Sequence, residues 1–74
     1  MTLDKLKPGE EAVVKKIRER GVVGQRLMAL GLFPGTRIRV LRNAPLVDPL
    51  ELAFDGQFLS LRHVEAAGIE VEPQ

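Results

Sequence analysis

A chain of 74 residues with a formal net charge of +1 and no cysteine has room for one small core, with neither disulfide staples nor thiolate metal sites. No apolar run reaches transmembrane length, and the opening MTLDKLKPGE lacks the apolar centre of a signal peptide, so the sequence reads as a soluble cytoplasmic protein. Three Phe with no Tyr or Trp give little of the stacking surface that single-stranded nucleic acids require.

In chain order, residues 2–6 suit one helical turn, with Thr2 as its cap and Leu3 and Leu6 on one side. Pro8 and Gly9 signal a turn that launches a strand over 11–18. Ala12 and Val14 share a face of that strand, but Ile17 falls out of the two-residue period. A bulge or bend near Lys15 and Lys16 is therefore expected. Gly21 closes the segment, and residues 22–30 read as a helix whose apolar stripe is Val23, Leu27 and Leu30. Gly24 weakens such a helix by about 1 kcal/mol relative to Ala, which points to packing as its support and to a close backbone approach.

Gly31 stops the helix, since a residue without Cβ enters the left-handed region cheaply. Leu32 then occupies the position of a Schellman closing contact, Phe33 adds an anchor, and Pro34 with Gly35 turns the chain into a strand over 36–42. In that strand Ile38 and Val40 face one way, Arg37 and Arg39 the other. Residues 43–49 form a link broken by Pro45 and Pro49. Leu50, Leu52 and Phe54 alternate inward, Asp55 and Gly56 form a type I′ hairpin turn, and Leu59 and Leu61 face inward on the return strand, with Phe58 opposite. Residues 63–67 allow little more than one helical turn before Gly68, and Ile69 and Val71 mark a last strand. Five short strands, one helix and one or two single turns predict a mainly β, single-domain fold over residues 1–74. The expected architecture is a small closed antiparallel barrel.

Charge is uneven along the chain. Residues 15–42 hold eight basic side chains against the single acid Glu19, whereas from Asp48 onward there are six acids and only Arg62. The pattern predicts a basic and an acidic face if the fold keeps the two regions apart. Enzyme chemistry finds no support: there is no Cys nucleophile, His63 is the single histidine, and no phosphate-binding GxxxxGK[ST] segment occurs. His63 and Glu65 are two metal-competent groups and do not complete a coordination shell, so no metal or cofactor is expected.

The spaced set Leu3-x-x-Leu6-x-Pro8-Gly9, Arg26-Leu27-x-x-Leu30-Gly31-Leu32-x-Pro34-Gly35-Thr36, Ala44-Pro45-Leu46-x-Asp48-Pro49, Leu61-Arg62 and the closing segment from Ala66 to Val71 resembles the FeoA family of ferrous iron transport accessory proteins. The resemblance implies an SH3-like β-barrel with a helix laid against it. It also implies a non-catalytic role in bacterial ferrous iron uptake, with the cytoplasmic side of the transporter FeoB, which carries a G-protein domain, as partner. The family commonly has Gly where this chain has Val47, which implies a stiffer or differently shaped link.

Expected partner-contacting residues are Arg26, Leu32, Phe33, Pro34, Arg37, Arg39, Pro45 and Asp48. Each has a plainer reading beside it. Leu27, Leu30, Leu32 and Phe33 are expected in the core. Arg26 packs its stem at the edge of the stripe and offers its head to solvent or a carboxylate, Asp48 caps its own turn, and Arg37 and Arg39 join Lys15, Lys16 and Arg18 in a solvated barrel face. The alternatives kept beside FeoB docking are a regulatory module of an iron-dependent repressor and a small basic nucleic-acid-binding barrel. Self-association stays open.

Overall fold

Alternation of large apolar and polar side chains sets the sheet. In the computed structural model, which describes residues 1–74, the strands are β1 (Glu11–Ile17), β2 (Arg37–Arg42), β3 (Leu50–Phe54), β4 (Gln57–Leu61) and β5 (Ile69–Pro73). Helix α1 (Gly21–Ala29) joins β1 to β2, the single-turn helix α2 (His63–Ala66) joins β4 to β5, and a 3-10 turn occupies Leu3–Lys5. All strand pairs are antiparallel, in the order β4-β3-β2-β1-β5. Every second residue points inward: Ala12 and Val14, Ile38 and Val40, Leu50, Leu52 and Phe54, Leu59 and Leu61, Ile69 and Val71 are all buried. With Leu3, Leu6, Leu27, Leu32 and Ala66 they form a single core that contains no polar side chain.

The barrel closes by packing rather than by a complete hydrogen-bonded ring. β4 and β5, the two ends of the sheet order, are not paired with each other. The β5 edge is covered instead by the start of the chain: the Val71 N–H donates to the Met1 carbonyl at 2.8 Å, and Thr2 bridges to Glu70. α2 lies in the connection between the unpaired strands, with Ala66 buried and the 3-10 turn packed against it. The middle of an edge strand handled this way is shielded from pairing with a second chain.

The expected bulge is present, the register of β1 on β5 shifting between Val14 and Lys16. The Asp55–Gly56 turn has both residues at positive φ, +49° and +73°, as type I′ requires. Gly24 is buried because α1 crosses the preceding chain closely. A Cβ at this position would stand 2.5 Å from the Glu19 carbonyl oxygen.

Two local expectations are corrected. Thr2 does not cap the first turn; its hydroxyl donates to the Asp4 carboxylate instead. Phe33 is not core but 47% exposed, because the helix cap spends the inward direction on Leu32 and the next residue faces out.

Candidate functional site

The link from α1 to β2 is held by its own backbone. The Gly31 N–H donates to Met28 and the Leu32 N–H to Leu27, both at 3.0 Å, the two bonds of a Schellman motif, with Gly31 at φ +93°. Leu32 is thereby driven into the core beside Leu27. A second turn follows at once: the Thr36 N–H donates to the Phe33 carbonyl at 2.9 Å with Gly35 at φ +98°, and the Thr36 hydroxyl accepts from the Phe33 N–H at 3.1 Å. Both ends of this turn are stitched to β1, the Gly35 N–H donating to Val14 at 2.7 Å and the Val14 N–H to Thr36 at 2.9 Å. Gln57 on β4 satisfies a further helix-end carbonyl, its Nε2 donating to Leu30 at 3.0 Å.

The link from β2 to β3 is held by side chains from elsewhere. Within it, the Val47 N–H closes a turn on Ala44 at 3.1 Å, with Leu46 at φ +63° and 99% exposed. Since the left-handed residue is Leu46, Val47 occupies its place without needing the freedom of glycine. At one end of the link, Asn43 Nδ2 donates to the carbonyls of Asp4 (3.0 Å) and Leu6 (2.6 Å). That fixes the amide's orientation and turns Asn43 Oδ1 toward His63 Nε2, 2.7 Å away. At the other end, Asp48 Oδ1 lies 2.6 Å from His63 Nδ1 and accepts the His63 backbone N–H at 2.8 Å. Both ring nitrogens thus face side-chain oxygens of the link. The ring's hydrogen bond, then the backbone one, holds the Asp48 carboxyl below its ordinary 3.8. The expectation that Asp48 caps its own turn is therefore corrected: it reaches the first residue of α2.

Glu65 does not join His63 in a metal-competent pair. Its carboxylate accepts the Arg62 N–H at 2.9 Å and meets Arg26 at 3.7 Å, leaving its side chain 15% exposed. Nowhere do three or more His, Cys, Asp or Glu side chains converge as a metal set would.

The predicted contact residues divide into three groups. Leu32, Phe33 and Pro34 line a groove with Met28, Lys15 and Lys16, Leu32 as its buried floor. Arg37 and Arg39 stand outward on β2 with no carboxylate within 4 Å. Pro45 and Asp48 belong to the pinned link, and Arg26 is tied to the same short helix through Glu65. The basic and acidic faces do not form. β5 pairs antiparallel with β1, so Lys15 meets Glu72 (3.6 Å) and Arg18 meets Glu70 (3.3 Å), while Arg42 meets Glu51 across β2 and β3 (3.9 Å). Sequence reasoning gave Met28 no role, and it saw no tie among Asn43, Asp48 and His63. Residues so far apart in sequence carry no local signal, and only the sheet order brings them together.

A five-stranded antiparallel barrel of this size, with one helix across it and turns built on Gly31 and Gly35, is an SH3-like domain. The particular family follows from comparison. The chain matches the FeoA domain over residues 1–73 and belongs to the FeoA family. The solution structure of a FeoA protein from Chlorobium tepidum superposes with a TM-score of 0.91 at 44% identity, covering 99% of this chain and 70% of that one. A FeoA from Stenotrophomonas maltophilia, solved with zinc and described as a procaryotic SH3 domain protein, gives 0.86 at 28% identity, covering 97% of this chain and 89% of that one. A Porphyromonas gingivalis protein described as a fusion of Fe(2+) transport protein A and the Fe(2+) transporter FeoB is 39% identical over 72 residues, which are 97% of this chain and 8% of that protein. This chain thus spans under a tenth of that relative's length. No helix here is long and apolar enough to cross a membrane.

Proposed function

We propose that this chain is a non-catalytic, cytoplasmic accessory module of ferrous iron uptake that docks on the cytoplasmic part of FeoB and supports its assembly or gating. The observation that carries the reading is the fused relative, in which a domain like this one and FeoB share a polypeptide. Fusion holds two modules at high effective concentration, an arrangement that suits partners which otherwise meet by diffusion. The geometry is in keeping with a docking part. Both links on the helix side are rigid, one through its backbone and one through the Asn43–His63–Asp48 bonds, and a rigid surface loses little conformational entropy on binding. Arg26, the 31–35 turn and the 44–49 link are the surfaces offered.

Calorimetric titration of the purified chain into the soluble cytoplasmic domain of the FeoB of the same cell, with and without guanine nucleotide, tests the reading. Saturable binding, weakened several-fold by Arg26→Ala or by Asp48→Ala with the fold intact, is the expected result. Absence of binding both to this domain and to the full transporter in detergent overturns it.

A further inference from the structure

The ladder between β1 and β2 stops at Val13 opposite Arg37, yet β1 runs on to Ile17. Beyond the stitch at Val14, the strand and the α1–β2 link diverge and leave a groove of about 260 Å³. One wall is Met28, Phe33 and Pro34, and the floor is the buried Leu32. Met28 and Phe33 are 57% and 47% exposed, so two large apolar side chains flank a concave, mostly apolar surface that nothing in the domain covers. The other rim is basic. The bulge brings the consecutive residues Lys15 and Lys16 to the same groove instead of alternating them across the sheet. Lys16 has no carboxylate within 4 Å. Lys15 meets Glu72 at 3.6 Å with both side chains more than half exposed, a pairing easily exchanged for another carboxylate. Glu19, the acid at this groove, has its carboxylate folded onto Gly68.

An apolar slot with a two-lysine rim has a definite complement. We infer that this groove takes an acidic, apolar segment of a partner protein, one large aliphatic or aromatic side chain entering between Met28 and Phe33 while neighbouring carboxylates meet Lys15 and Lys16. The inference rests on the docking reading above and names the chemistry of the docked segment. A polyanion such as RNA is a poorer complement, since two lysines beside an apolar slot make a short track and Arg18, Arg26 and Arg42 already meet carboxylates.

The test uses two blocked pentapeptides, Asp-Glu-Leu-Glu-Asp and its charge-reversed twin Lys-Lys-Leu-Lys-Lys, titrated into the isotope-labelled full chain and followed by amide chemical shifts. The acidic peptide is expected to move the amides of residues 15–17 and 28–35 and to bind at least about tenfold more tightly than the basic one. Met28→Asp, a change at an exposed position, removes that binding, and the Lys15→Glu, Lys16→Glu double variant reverses the preference. Equal binding of the two peptides, shifts centred elsewhere, or no shifts at millimolar peptide overturns the inference. So do concentration-dependent shifts of the same amides without peptide, which assign the groove to a second copy of this chain. FeoB binding by the Met28→Asp variant separates the two readings. If the wild type and the variant bind FeoB equally, docking stands and the groove is not its site; if the wild type fails to bind, the docking reading falls and the peptide result stands by itself.

Discussion

The two links that flank β2 are about equally short and are secured by opposite means. The one entering the strand, residues 30–36, is fastened by backbone hydrogen bonds among near neighbours and to β1, with glycines at the left-handed positions. The one leaving it, residues 43–49, is fastened by Asn43, Asp48 and His63 reaching across the fold, and it places Leu46 rather than a glycine at positive φ. Local fastening survives almost any change on the far side of the molecule. Remote fastening makes the shape of one link depend on α2 and on the chain's first turn.

Four substitutions press on that contrast. Leu32→Ala, which empties a fully buried position beside Leu27, costs about 2–5 kcal/mol and brings a domain of this size close to unfolding. Chemical denaturation reads it, and a loss below 1 kcal/mol would mean the cap does not anchor the helix. Gly31→Val comes next at about 1–3 kcal/mol, because a β-branched residue is forced to φ near +93° although the surrounding space is open. An unchanged melting temperature would contradict the cap as described. Asn43→Ala is expected to cost on the order of 1 kcal/mol, since it strips the carbonyls of Asp4 and Leu6 of their donor and His63 of one acceptor. Amide exchange should rise in the 3–6 turn and in the 44–49 link together. Faster exchange in one without the other would show that they are not coupled.

The smallest effect is the most diagnostic. Asp48 titrates below its ordinary 3.8 because His63 bonds it, so the folded protein holds this proton less tightly than the unfolded chain. Its contribution is in place above the ordinary carboxylate range and is lost as acid takes the pH down through the lowered value. Carbon-detected NMR of the Asp48 carboxyl should show that low midpoint, and His63→Ala should raise it toward the ordinary one, the backbone N–H bond remaining, with little change in melting temperature. A midpoint that His63→Ala leaves in place would remove the histidine as the cause.

What could be read in the sequence follows the same division. The Schellman cap, the bulge near Lys15, the type I′ turn and the inward faces of all five strands are local rules of backbone and alternation, and each is found where residue spacing places it. The FeoA resemblance, carried by those same turn residues, is matched over residues 1–73. The charge segregation failed because antiparallel pairing of β5 with β1 sets the acidic tail against the basic strand. Of the two readings of Phe33, core and partner contact, the core one fails because a cap that turns Leu32 inward leaves its neighbour outside, a three-dimensional outcome that hydrophobicity alone does not carry. The His63 bonds were invisible for a related reason: each partner is an ordinary loop or turn residue until the sheet order is known.

The pairing of β1 has a consequence for how the protein comes into being. One side of β1 pairs with β2, but the other side waits for β5, the last strand of the domain. On a ribosome the hairpin of β3 and β4 can pair before β5 emerges, because its contacts are local. The strand that carries the bulge, and with it one rim of the groove, stays half-paired until residues 69–73 emerge. Pairing of β5 therefore completes the strand that supplies one rim of the groove.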